Sequence, residues 1–436
     1  MGKIKVAWIC HLSNEEIRSN IKLDKTSLRY RFLNFLGKVT PVRDYAKWNT
    51  NAINVFKKFD DIELHVISPH LQLSDKIVEF VSEGIHYHLF RSEDDSFIFR
   101  LKRKYLKGEY KTYTYDGNSR IICSLVDSIN PDIVHLMGAE NPIYSSSLLK
   151  LIGDYTKLVS LQTMMSDPDF FANYPISKEM YDYRVAVEQS VIKSADYICT
   201  NIEHFRKLVW TKIDPAIRIL NLSLAVGERI VDTECHKEFD FVYFAKEIEK
   251  AADWAIEAFA KVCFYYPDAT LNVVGAYGLN YKSKLDIRIE ELGIRNNVVF
   301  SGALPTHEDV MKQIRKSRFA LLPLKIDVNS STVREAMANG LPVISTITPA
   351  TPEINSKRQS ILISEKGDFN GMAENMKKLL SSEVLSNTLR CNAFETVKEL
   401  FDNKLIVSLW RDAYYSILEN RKTGTPVPLE VISENK

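Results

Sequence analysis

Long apolar runs are missing from this sequence. Stretches such as Phe319 to Leu324 fall far short of the roughly 20 residues that a membrane-crossing helix needs, so an integral membrane protein is not expected. The opening residues, MGKIKVAWIC, lead straight into a strand-like pattern with no small-residue cleavage site behind an apolar segment, which argues against a secretory signal and for a cytoplasmic location. Cysteine is sparse, at positions 10, 123, 199, 235, 263 and 391, and forms no Cys-x-x-Cys pair. That argues against the common thiolate zinc sites and dithiol redox motifs, and most of these thiols are expected to be buried and inert. Charge of one sign is not in excess, the formal net charge being +1, and 45% hydrophobic with 26% charged residues excludes disorder for most of the chain. A length of 436 residues exceeds one ordinary core and fits two domains. Short-period repeats and low-complexity tracts are absent too.

Two basic stretches interrupt the neutral balance. Residues 1–60 carry 12 Lys and Arg against 5 Asp and Glu, and Arg100, Lys102, Arg103, Lys104, Lys107 and Lys111 are interleaved with Phe99, Tyr105 and Tyr110. Such patches suit an anionic partner: membrane headgroups, a lipid-linked diphosphate or nucleic acid. A solvated face balanced by acids elsewhere explains them as well. Nothing beyond the basic N-terminal segment points to nucleic acid, which is not an expected partner.

What the sequence does contain is repeated alternation of short apolar runs with helical patterns. Ile4–Cys10, Ile62–Ser68, Ile133–Met137, Leu158–Gln162 and Tyr197–Thr200 read as strands in the first half. Phe239–Phe244, Thr270–Gly275, Val298–Ser301, Phe319–Leu324 and Val343–Thr346 do so in the second, with helices at Ala252–Tyr265 and Val310–Ser317. Repeated βα units imply parallel sheets covered by helices, hence an α/β chain of two doubly wound, Rossmann-like domains. The pattern lapses near Ala225–Glu238, which predicts domains at 1–230 and 231–404. Residues 405–422 read as an amphipathic helix carrying Trp410, Tyr414 and Tyr415, able to cross between the lobes. The tail 423–436 has two prolines and little pattern, and is expected to be loosely held.

The segment from Phe319 to Glu353 carries the most chemical information. It reads as strand, an acidic loop with Asp327, Asn329, Ser330 and Ser331, a helix, then a second strand. Thr332 and Glu335 have the spacing of a capping box, Gly340 suits a left-handed helix end, and Pro342 stops further winding. Free amides at such a helix N-terminus attract phosphate, and so the layout invites a nucleotide. A plain βαβ element with a capped helix and a solvated Asp327 would show the same spacing.

From residue 239 to about 365 the chain resembles the donor domain of the retaining nucleotide-sugar glycosyltransferases of family 4, which have the GT-B fold, two Rossmann-like lobes facing a cleft. That family has two acids separated by seven residues, and Asp327 and Glu335 occupy those positions, followed by AMANGLPVIST. Gly-Arg and Lys-Gly upstream in the family correspond to Ala245-Lys246 and Lys250-Ala251 here. NVVGAYG at 272–278 and VVFSGALP at 298–305 match strand ends that flank the nucleobase. The resemblance implies a donor site built from Glu335 at the ribose, Asn329, Ser330 and the Ser331, Thr332 and Val333 backbone at the phosphates, and Gly275, Gly302 and Phe300 near the base. It implies Lys246, Lys250 and Asp327 as catalytic residues, the lysines opposing charge that develops on the leaving diphosphate and Asp327 holding the donor sugar. On the acceptor side it points to His11, His135 and Gln162; both histidines would equally serve as satisfied, partly buried residues.

Departures bear on specificity. Asp327 is one methylene shorter than the usual Glu, Val328, Asn329 and Ser330 replace a Gly-Phe-Gly type loop, and Cys10 to Asn14 replace a glycine-rich loop after the first strand. The implied reaction is retaining transfer of a hexose-type sugar from a nucleotide diphosphate sugar to a sugar or lipid-linked saccharide, without metal or other cofactor. Cell-surface polysaccharide or glycoconjugate synthesis, with docking at the inner membrane face, is the family-level setting. Rival readings are a GT-B epimerase or sugar-phosphate synthase, a scaffold that has lost catalysis, and a metal-dependent transferase using Asp167-Pro168-Asp169.

Overall fold

The computed structural model describes residues 3–23, 44–70, 73–93, 115–168, 177–225, 236–325 and 330–431. The chain divides into two compact units, Met1–Ala225 with Asn403–Lys436, and Val226–Asp402. In the first, the strands are β1 (Ile4–Ile9), β2 (Ile62–His70), β3 (Ile77–Ser82), β4 (Ile85–Arg91), β5 (Ile133–Met137), β6 (Thr156–Ser160), β7 (Tyr197–Cys199) and β8 (Ile219–Leu220). The second contains β9 (Phe239–Glu247), β10 (Leu271–Ala276), β11 (Val298–Gly302), β12 (Ser317–Leu322), β13 (Val343–Thr346) and β14 (Ile361–Ser364). Helix Asn403–Thr423 then returns the chain to the first unit, where β15 (Glu430–Val431) ends the described fold.

The second sheet runs β11-β10-β9-β12-β13-β14 and is parallel throughout. Its central strands are continuous apolar runs because both faces are covered, and Phe241, Phe259 and Phe319 meet at the centre of the core. Strand order reverses between β9 and β12, so the loops after these two strands diverge and leave a crevice at the carboxyl ends.

The first sheet runs β15-β8-β7-β6-β5-β1-β2-β4-β3, with its own reversal between β1 and β5. It is mixed rather than purely parallel. β3 and β4 form an antiparallel hairpin closed by Glu83 and Gly84, both at positive φ (47° and 80°), the geometry of a two-residue turn matched to strand twist. β15 pairs antiparallel with β8, and Arg218 donates to both Glu430 oxygens at 2.9 and 2.7 Å. The tail is therefore tied down through residue 431, contrary to the expectation of loose attachment.

Helix Asn403–Thr423 is built into the first unit's core. Trp410 and Tyr414 are buried against Trp8, and Trp410 Nε1 donates to the Ser223 carbonyl at 3.0 Å. Trp8 Nε1 donates to the Tyr414 hydroxyl at 3.0 Å, which lies 2.7 Å from His135 Nδ1. Outside this core, Arg411 Nε donates to Asp61 Oδ2 at 2.9 Å and the Tyr415 hydroxyl donates to the same oxygen at 2.8 Å. No helix among the described residues is long and apolar enough to cross a membrane.

Candidate functional site: the β9/β12 crevice

Because the second sheet is parallel, every loop leaving a strand end opens on one edge. Lys246, exposed in the last residues of β9, and Lys250, exposed at the end of the short 3₁₀ turn Ile248–Lys250 that leads into helix Ala252–Cys263, stand on either side of the buried Ile248 in sequence. The Glu249 carboxylate accepts from the Gly278 amide at 2.7 Å, which ties this turn to the loop after β10. Gly275 has φ +143°, and a Cβ there would stand 2.0 Å from the Ala245 carbonyl oxygen. Its missing side chain lets the end of β10 pass against the end of β9, where the pairing register shifts. Gly302 has φ +69° beside open space, with the Tyr277 hydroxyl 3.9 Å from a would-be Cβ. Phe300 is half-buried, edge-on to Tyr277 at 6.2 Å and capped by Lys282 Nζ at 4.0 Å.

On the other side of the crevice stands helix Ser331–Ala338. Its N-cap is Ser330, whose side chain caps no backbone amide and instead lies 2.7 Å from the Thr332 hydroxyl. The expected Thr332–Glu335 capping box is therefore not formed: the helix begins one residue before Thr332, and both residues sit inside it. Ser330 and Val333 are buried, Ser331 is exposed, and Thr332 is half-buried. Glu335 projects toward helix His307–Arg315, its Oε1 3.7 Å from His307 Nε2. A capping box does exist, at Thr306 and Asp309. Asp327 and Asn329 lie outside the described residues, but the loop that carries them is anchored where it leaves β12, as the Thr346 hydroxyl accepts from the Leu324 amide at 2.8 Å.

Two features of this crevice escape sequence inspection. Lys325, just past β12, places Nζ 2.5 and 2.6 Å from the Asp253 carboxylate in the first turn of the helix after β9, bridging the reversal point. Arg334 is buried beside Glu335, and burial pushes its guanidinium down to about 10. Its charge lies 5.3 Å over the Phe401 ring.

The first unit has a second cluster at its own reversal point. The His11 ring after β1 packs 4.3 Å from Tyr45 and 6.3 Å from Tyr144. The chain there needs no glycine loop, because Ser13 pairs with Tyr45 and Asn14 caps helix Glu15–Asn20 through the Ile17 amide. His135 is placed elsewhere: fully buried, with Nε2 2.9 Å from Ser160 and Nδ1 on Tyr414, it has no nitrogen left for a ligand, and burial pushes it down to about 3. Gln162 lies half-buried in the bend after β6. Asp167 is buried and 2.7 Å from His204 Nε2, while Asp169 lies outside the described residues. The basic stretch 100–111 is likewise outside them.

Glu140, which no motif singles out, follows β5, and its main-chain oxygen accepts from Arg184 at 2.8 and 3.0 Å. Burial, reinforced by Glu188, pushes its carboxyl up to about 7. The folded chain thus keeps a proton that the unfolded chain releases, so stability falls as pH rises from the ordinary carboxylate range through about 7. Glu140→Gln should flatten that slope and exceed the parent in stability by on the order of 2 kcal/mol at about pH 8, with little difference at about pH 4. Melting both proteins across that range checks it; a pH-independent difference would refute it.

Residues 236–396 match the model of the glycosyl transferases group 1 family, which contains the whole β9/β12 crevice. The chain is 24% identical over 358 residues to N-acetyl-alpha-D-glucosaminyl L-malate synthase of Bacillus anthracis, covering 80% of this chain and 91% of that one. Its fold is similar to that of sucrose-phosphate synthase from Thermosynechococcus elongatus, at TM-score 0.66 and 13% identity over 96% of this chain and 100% of the other. The match to the glycosyl transferases group 1 family thus lies within the second unit. A glycosyltransferase from Rickettsia africae is similar in fold as well (TM-score 0.59, 14% identity, 96% and 99% covered), and the chain has the GT-B fold of two Rossmann-like units. A structure of trehalose-6-phosphate from E. coli bound with UDP-2-fluoro glucose is also similar, at TM-score 0.62, 11% identity and coverage of 94% and 98%.

Proposed function

We propose that this glycosyltransferase moves a hexose-type sugar from a nucleotide diphosphate sugar to an acceptor hydroxyl with retention of configuration, using the β9/β12 crevice as its donor site. One observation carries the reading: Lys246 at the end of β9 and Lys250 in the turn after it, and the helix start at Ser331, Thr332 and Val333 after β12, follow the two strands between which the sheet order reverses, the edge where such sheets bind phosphates. Cleavage of the sugar phosphate bond puts negative charge on the leaving diphosphate, which these groups stabilise without a metal or a protein nucleophile. Glu335 would hold the ribose hydroxyls, its two oxygens suiting a vicinal diol, and Asp327 the sugar. The Phe300 and Gly302 strand end would border the base.

The N-acetylglucosaminyl group and malate in the name of the Bacillus anthracis relative support a second reading of the acceptor, a small hydroxy acid instead of a sugar or lipid-linked saccharide. The cytoplasm, or the inner face of the plasma membrane during polysaccharide or glycoconjugate synthesis, is the proposed setting.

Thermal unfolding against UDP, GDP, ADP and TDP, with and without chelator, tests the donor site, since a ligand of the folded state raises the melting point. A selective, chelator-insensitive rise that Glu335→Ala abolishes is expected. No rise with any nucleotide would favour a scaffold without catalysis.

A further inference from the structure

Near the starts of β2 and β4, three of the chain's nine histidines share one face of the first sheet. Residues two apart on a strand face the same way, so Glu63 and His65 project together from β2, and His86 and His88 from β4. Parallel pairing sets His65 opposite His86, and their rings stack at 4.5 Å; His65 and His88 stack at 5.2 Å. Lining up imidazoles is a poor way to build a sheet face, since any two that protonate repel. The ligand-capable atoms of Glu63, His65 and His86 all lie within 4.8 Å of one another.

We propose that Glu63, His65 and His86 form a binding site for one zinc-type divalent cation, supported by His88 and Glu79. His65 Nε2 is 2.9 Å from Glu63 Oε1, so both already point at one spot. On the ring's other side His65 Nδ1 is 3.0 Å from His88 Nε2, and His88 Nδ1 is 2.5 Å from Glu79 Oε1 on β3. With a cation on His65 Nε2, the Nδ1 proton is donated to His88, whose own Nδ1 proton is donated to Glu79. That is the imidazole-to-carboxylate support that orients metal-ligating histidines and fixes their tautomer. Two imidazoles and one carboxylate select a zinc-type ion over the oxygen-seeking magnesium or calcium. The cation would staple the β3–β4 hairpin to the parallel strands and take no part in sugar transfer. The inference is independent of the donor-site reading.

The test uses tag-free, full-length protein stripped by chelator and titrated with Co²⁺, then Zn²⁺. One saturable cobalt spectrum, displaced by zinc, is expected at one equivalent, together with a rise in melting point. His86→Ala, at a half-exposed position, should weaken zinc binding by more than about 100-fold, and His88→Ala by about 10–100-fold. His204→Ala, at the separate Asp167 pair, should leave it unchanged. X-ray absorption of the zinc-loaded parent should show only nitrogen and oxygen donors, a readout that needs no variant. Absence of saturable binding, sulfur in the zinc shell, or full affinity in His86→Ala would overturn the site.

Discussion

Lys250→Ala is expected to lower the turnover number for sugar transfer by about 10²–10³-fold, the usual cost of removing one preorganised group that meets developing charge. The effect should fall on kcat more than on KM for the donor, because the diphosphate gains its extra charge only as the glycosidic bond breaks. Lys250 is exposed at the end of the turn after β9, so the change should leave stability within about 0.5 kcal/mol. An unshifted melting curve separates lost chemistry from lost structure. Lys250→Arg should recover part of the rate, since charge is kept while the donor geometry changes. Near-parental turnover in Lys250→Ala would remove this residue from the mechanism and throw the burden onto Lys246 and the helix amides.

The parallel strands were legible because a strand buried on both faces is mostly apolar, and β1, β5 and β10 are so, with one polar residue each. The β3–β4 hairpin was not, since β3 alternates between exposed and half-buried residues, and Glu83-Gly84 is a less emphatic turn signal than Asn-Gly. At the donor side, the resemblance to the family singled out Lys246, Lys250 and Glu335 as candidates, whereas the helix starts one residue before the Thr332 cap that the spacing suggested. Pairings across long sequence distances left no local trace. Lys325 meets Asp253 across 72 positions and His135 meets Tyr414 across 279, so the first pair went unseen and the second turned an apparent ligand histidine into a core residue.

Gly275→Ala should be among the most damaging single-methyl additions in the second unit. At φ +143° an alanine is strained wherever it has room, and here its Cβ would overlap the Ala245 carbonyl oxygen at 2.0 Å, a main-chain atom that cannot rotate away. Relief requires β9 and β10 to separate where their register already shifts, for a combined cost of about 3 kcal/mol or more. At about 2–4 °C per kcal/mol for a unit of this size, the melting point should fall by on the order of 10 °C. Gly302→Ala is the informative comparison. It shares the left-handed backbone, at φ +69°, but a Cβ there meets nothing closer than the Tyr277 hydroxyl at 3.9 Å, so only the dihedral cost of about 1–2 kcal/mol remains. Because Ala245 immediately precedes Lys246, the Gly275 variant should also bind nucleotide more weakly in whatever fraction folds, through displacement of the end of β9 that carries Lys246 and of the turn after it that carries Lys250. Equal losses in the two variants would mean that the close approach of β10 to β9 contributes nothing beyond its backbone angle.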